Sequence, residues 1–203
     1  MDRLCGSQLK IKDFNYKDLP EIIIPSHLNE KVRLDPDSKR IPLLEELLDE
    51  FPMYPMQIDV KEGPEELVIK VSRMIVERQR ESVTLWGSFV PSINDICYRN
   101  NPNIPIFFSV ARAMYAKTMY HLGLLDRTHL YESALIMPNI WIFRNKNWIK
   151  ALRKREISIY IFTLNQPSQW EEAKNLGATG ICSDYPTSLQ QWLKDNPLSN
   201  SGE

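Results

Sequence analysis

The chain of 203 residues is 43% hydrophobic and 25% charged, a globular composition of one-domain length; it excludes a disordered polymer, a coiled coil and a disulfide miniprotein. With 25 basic against 26 acidic side chains, a net charge of -1 gives no electrostatic ground for a nucleic-acid partner. Cys5, Cys97 and Cys182 form neither a disulfide framework nor a CxxC metal site and read as reduced thiols. No apolar run approaches the roughly 18 residues that span a bilayer, and MDRLCGSQLK lacks the apolar core of a signal peptide. The expectation is a soluble protein that is cytoplasmic or peripheral to intracellular membranes.

Residues 1–40 hold one apolar stretch, Ile22 to Pro25, and read as an irregular, insertion-like segment. Residues 41–195 alternate between two patterns. Short apolar runs bounded by Pro, Gly, Asn or charge predict strands at Pro55–Lys61, Ser82–Phe89, Ile104–Val110, Ala134–Pro138, Ile157–Asn165 and Gly180–Asp184. Helical patterns occupy Pro42–Phe51, Pro64–Arg80, Ser92–Asn100, Asn145–Arg155 and Pro186–Lys194. In Pro64–Arg80 the apolar face is Leu67, Val71, Met74 and Ile75. Ser168-Gln-Trp-Glu171 reads as a capping box opening a helix that stops at Gly177. Residues 196–203 read as a disordered tail.

Strand and helix in alternation specify an α/β fold with a parallel sheet and right-handed crossovers. A doubly wound nucleotide binder needs a glycine-rich turn after its first strand, and no GxGxxG or GxxxxGK occurs. A complete (β/α)₈ barrel takes about 250 residues. The expectation is therefore an incomplete barrel.

Asp59 and Lys61, in MQIDVK, are two apart on a predicted strand and point to one side. Near a strand's C-terminal end, where barrels keep their active sites, the aspartate would ligate a hard cation such as Mg²⁺ or Ca²⁺. The lysine would neutralise charge on a phosphoryl group. The plainer alternative is an ion pair ending the strand at the surface. Asn165 and Asp184 end two further strands; Asp184 reads first as a helix N-cap, and Asn165 as either a cap or a pocket group. His27, His121 and His129 end no recognisable strand, and Cys182 has no histidine partner. Arg144, Lys146, Lys150, Arg153, Lys154 and Arg155 read as the solvated face of a helix whose inner face is Trp148, Ile149 and Leu152, with anionic lipid as the lesser alternative.

The sequence resembles the glycerophosphodiester phosphodiesterase family, particularly its animal lysophospholipase D branch. DRLCG followed by IKDFNYKDLP resembles the segment after the family's second catalytic histidine. IPLLEELLDEFP, MQIDVK, VTLWGSF, IPIFFSV and IYIFTLN follow in family order, and NLGATGICSDYPTSL resembles GAxGIxTDYP. The resemblance implies a (β/α)₈ barrel and a metal-dependent phosphoric diester hydrolase of lipid metabolism. Its substrates would be glycerophosphodiesters or lysophospholipids. It places Asp59 at the third acidic metal ligand, Lys61 at the phosphate-facing lysine, Phe162 where many members carry the tryptophan of WTxN, and Asn165 at that motif's asparagine.

The family's HRG, ExD and HD segments do not occur in the sequence; they, and about the first two barrel strands, would lie ahead of Met1. A single carboxylate is expected to hold a cation weakly, and each missing acid or base forfeits roughly 10²–10⁴-fold. Little or no diesterase activity is therefore expected of these 203 residues. The shortfall would reflect an alternative start or an incomplete gene model. The alternative is a non-catalytic binding or interaction protein derived from the same barrel; an unrelated open α/β binding domain ranks third.

Overall fold

The structure is a computed structural model that describes residues 5–6, 10–23 and 39–198. The expectations placed on His27, on Ile24 and Pro25, and on residues 199–203 lie outside the described residues. Contacts divide the chain into two compact units, Met1–Pro52 and Met53–Glu203.

Among the described residues, the first unit includes two 3₁₀ turns, Ile11–Asp13 and Tyr16–Asp18, and a helix, α1 (Leu44–Glu50). Glu46 in the first turn of α1 accepts the N–H of Leu43 at 2.8 Å, satisfying a donor that the helix start leaves unpaired. The same carboxylate pairs with Arg40 at 2.7 Å, and Arg40 also donates to Tyr16 Oη at 2.7 Å.

The second unit carries β1 (Met56–Asp59), α2 (Glu65–Glu77), β2 (Thr84–Gly87), α3 (Pro91–Asn100) and α4 (Val110–His121). These are followed by β3 (Ala134–Pro138), α5 (Lys146–Arg153), β4 (Ser158–Phe162), α6 (Pro167–Leu176), β5 (Gly180–Ile181) and α7 (Pro186–Asp195). β1 and β2 pair in parallel, as do β3 with β4 and β4 with β5. The predicted strand Ile104–Val110 is reduced to two parallel bridges, Trp86↔Ile106 and Phe107↔Ala134. Pro105 has no N–H to give to the ladder, and Ser109 turns the chain by accepting the N–H of Arg112 as the N-cap of α4. Six parallel segments thus stand in chain order, as the alternation predicted. Among the described residues, β1 and β5 each have one neighbour.

Residue alternation sorts the side chains onto two faces. Leu135, Met137, Ile159 and Ile161 meet Trp148, Ile149, Leu152, Trp170 and Ala173 of the helices. Phe107, Ala134 and Ile136, with Leu85, Phe89, Tyr160 and Phe162 against them, form the opposite, inner face. Coverage on both sides explains why these strands are apolar nearly throughout.

Local differences have local causes. In α2 the buried stripe is Val68, Val71, Ser72 and Ile75, with Leu67 39% exposed, so the buried face is rotated from the one expected. Helix α6 starts at Pro167, one residue ahead of the predicted Ser168 cap. Its start is closed by Gln169, whose Oε1 accepts the N–H groups of Asn165 and Gln166. Proline at the first helical position, where no N–H is needed, moves the cap upstream. Gly177 ends α6 at φ 100°, as predicted. In the predicted basic helix, Asn145 is the N-cap, accepting the N–H of Trp148 at 3.0 Å, and Trp148, Ile149 and Leu152 are buried as expected.

Candidate functional site

The C-terminal ends of the parallel segments form a rim, and Asp59 is the last residue of β1. Its register partner is Gly87, and Gln57 pairs with the inner-face residue Leu85, so alternation sends Asp59 to the inner face. The side chain is 15% exposed. Its Oδ2 accepts a hydrogen bond from Lys61 Nζ, while Oδ1 is buried with no hydrogen-bond partner. Lys61 itself is 75% exposed, with Nζ 5.4 Å above the ring centroid of Phe89. Phe89 packs on Phe107 at 5.1 Å and on Phe162, the last residue of β4, at 6.0 Å. Asp59, Lys61, Phe89 and Phe162 are thus linked in one chain of contacts along the rim.

Asn165 is engaged differently. Its Oδ1 accepts from Ser183 Oγ at 3.1 Å and from the N–H of Asp184 at 2.9 Å, and its Nδ2 donates to Asp184 Oδ2 at 2.9 Å. The side chain ties the loop after β4 to the loop after β5. Asp184 is therefore not the helix cap that its position before Pro186 suggested. Tyr185 holds the N-cap place of α7 without a side-chain capping bond, and the Asp184 carboxylate is turned to Asn165.

The buried carboxylate oxygen suits a cation ligand, because an acceptor without a donor is costly in a fold and cheap beside a metal. Among the described residues, however, no group of three His, Cys, Asp or Glu side chains converges. One carboxylate does not make a divalent-cation site.

Histidine is also missing from the rim among the described residues. His121 ends α4, which starts at the rim after the third strand segment and runs back, and His129 precedes the start of β3. Both lie toward the opposite end of the sheet from Asp59. The cysteines are free thiols. Burial, reinforced by the nearby Asp59 carboxylate, pushes the Cys97 thiol up to about 12, and burial also raises Cys182. Neither supplies a thiolate nucleophile at neutral pH.

Three groups that shape the site are invisible as sequence patterns. Asn94, fully buried on α3, accepts the N–H of Ser88 at 2.8 Å and donates to the carbonyl of Phe107 at 3.2 Å, fixing the turn after β2. Gly87 is required there: φ is 140°, and a Cβ would lie 2.5 Å from Asn94 Oδ1. Phe89 closes a predicted strand, but its role as the platform under Lys61 depends on tertiary packing. The basic cluster is likewise less free than its charge suggests. Arg144 pairs with Glu172, and Arg155 donates to the carbonyls of Leu125 and Thr128.

Residues 1–188 match one known family, described as the glycerophosphoryl diester phosphodiesterase family. The chain belongs to that family. The chain is 30% identical over 219 residues to lysophospholipase D GDPD1 of Homo sapiens, an alignment that covers 95% of the chain and 70% of that protein. To lysophospholipase D GDPD3 of Homo sapiens it is 29% identical over 182 residues, covering 78% of the chain and 57% of that protein. Among solved structures, a glycerophosphodiester phosphodiesterase from Agrobacterium tumefaciens superposes with a TM-score of 0.61 at 16% identity, over 77% of this chain and 64% of that one. One from Thermotoga maritima gives 0.59 at 17% identity, over 94% and 75%. The chain thus spans less than two thirds of the Agrobacterium protein's length. At these identities the structures establish the fold, the family's (β/α)₈ barrel, of which the described residues show six parallel strand positions in order.

Proposed function

We propose that the chain carries the phosphate-binding part of a phosphoric diester hydrolase site for glycerophosphodiesters or lysophospholipids. One observation carries this reading. Beside an inner face built mainly from Leu85, Phe89, Phe107, Ala134, Ile136 and Phe162, Asp59 stands with an unpartnered oxygen and a cationic neighbour at the strand's C-terminal end. An ion pair built only for stability would sit in water or satisfy both oxygens.

In this reading Asp59 would supply one carboxylate toward a divalent cation whose other ligands are not among the described residues. Lys61, held over the Phe89 ring, neutralises charge on the phosphate. Phe162 is an apolar wall beside it, and Asn165 holds the loops after β4 and β5 in place. Because the described residues bring no histidine to the rim, and the Asp184 carboxylate there is already bonded to Asn165, these residues alone bind rather than turn over. The same observation favours the second reading, a binding or interaction protein derived from the family barrel.

Calorimetric titration of the chain with sn-glycerol 3-phosphate tests the assignment. Lys61→Met removes a charge-assisted bond, typically 1.5–3 kcal/mol, and should weaken binding about tenfold or more. Equal affinity of the two proteins would remove Lys61 from the site.

A further inference from the structure

We propose that the apolar cavity at the C-terminal edge of β3 takes the single acyl chain of a lysophospholipid whose phosphate lies at Asp59 and Lys61. This rests on the phosphate reading above and extends it to the apolar end of the substrate. The cavity has a volume of about 340 Å³, and its walls include Phe89, Phe108, Val110, Ala113, Met137 and Phe162. No charged side chain lines it. Its one hydroxyl, Ser109 Oγ, is already used in capping α4.

Two observations choose the occupant. The first is the lining: a space of this size without polar partners has nothing to hold ordered water and accepts apolar matter instead. The second is Phe89, which belongs to both places. It carries the Lys61 ammonium 5.4 Å from its ring centroid and also forms part of the cavity wall. A ligand that fills both must join an anion to an apolar chain through a short spacer. A lysophospholipid does so through its glycerol; glycerophosphocholine has no apolar end to fill the cavity. The mouth is apolar as well. Val110, at the start of α4, is 55% exposed, and Trp141, between the wall residues Pro138 and Phe143, is 84% exposed. An exposed indole close in sequence to two wall residues suits a chain arriving from a lipid interface.

The test titrates the full chain with lysophosphatidylcholines from hexanoyl to dodecanoyl, each below its micellar concentration, with glycerophosphocholine as the chainless reference. Affinity should rise about fourfold for each buried methylene until the cavity is full. Val110→Trp, at the mouth, should flatten that rise, and Ala113→Val, in the wall, should end it at a shorter chain; circular dichroism melts report that both variants fold. If dodecanoyl lipid binds no better than glycerophosphocholine, the acyl site is overturned and the phosphate reading stands. A rise unchanged in both variants places the acyl chain elsewhere and overturns the proposal. A rise that persists while Lys61→Met alters no affinity removes the phosphate reading instead, so the two failures are told apart.

Discussion

Purified chain supplied with Mg²⁺ or Ca²⁺ is expected to release choline from glycerophosphocholine or lysophosphatidylcholine no faster than buffer containing the same ion. The expectation follows from what stands on the rim. Hydrolysis of a phosphodiester needs a proton taken from the attacking water and one given to the leaving alkoxide, each worth roughly 10²–10⁴-fold from a positioned group. His121 and His129 lie toward the far end of the sheet, and Cys97 is held protonated. Lys61 remains as a cation that stabilises bound phosphate, and stabilising bound substrate alone does not lower the barrier from it. Saturable choline release that disappears in Asp59→Ala would show that acid and base are supplied by residues outside those described, and the binding-only account would fall.

The second large effect concerns stability. Glu132, with a fully buried side chain, receives Arg112 Nε at 2.6 Å on Oε1, and Arg112 Nη2 at 3.0 Å on Oε2. Oε2 also accepts the N–H of Tyr131 at 3.2 Å. Arg112 lies 4.5 Å from the Tyr131 ring and 5.5 Å from that of Tyr115, and its hydrogen bond to Glu132 pushes its pKa up, so it stays charged at every working pH. Glu132→Ala strands that guanidinium in a largely buried place. The cost of breaking such a pair is about 3–5 kcal/mol, against total stabilities of about 5–15 kcal/mol. Denaturant unfolding should therefore show a large part of the stability lost, and Arg112→Leu with Glu132→Leu together should lose far less than Glu132→Ala. A single-variant loss under about 1 kcal/mol would mean that the pair is effectively solvated.

Glu132 and Arg112 also show where sequence reading stops. Twenty residues separate them, and nothing in either neighbourhood marks a partner; they meet because α4 and the segment before β3 pack together. The strands were legible because apolar runs end where polar residues begin. Ala134–Pro138, flanked by Ser133 and Asn139, has the predicted bounds. The apolar run Ile104–Val110 overstates its strand because residue preference does not register Pro105's missing donor or Ser109's cap as the end of a ladder. Asp59 and Lys61 stood out because charge on an apolar strand needs a reason. Asp184, by contrast, has the residue type and position of a cap, and only the fold shows Asn165 claiming its carboxylate. The apolar cavity could not be read at all, since its walls come from segments that look like ordinary core.

The most direct measurement is amide chemical-shift mapping of the chain during titration with sn-glycerol 3-phosphate. The site described above predicts that the largest shifts fall on Asp59, Val60, Lys61, Phe89 and Phe162 and vanish in Lys61→Met. Shifts centred instead on the larger open cavity between α6 and α7, of about 920 Å³ and lined by Gln166, Trp170, Tyr185, Gln191 and Trp192, with Asp59 unmoved, would contradict it.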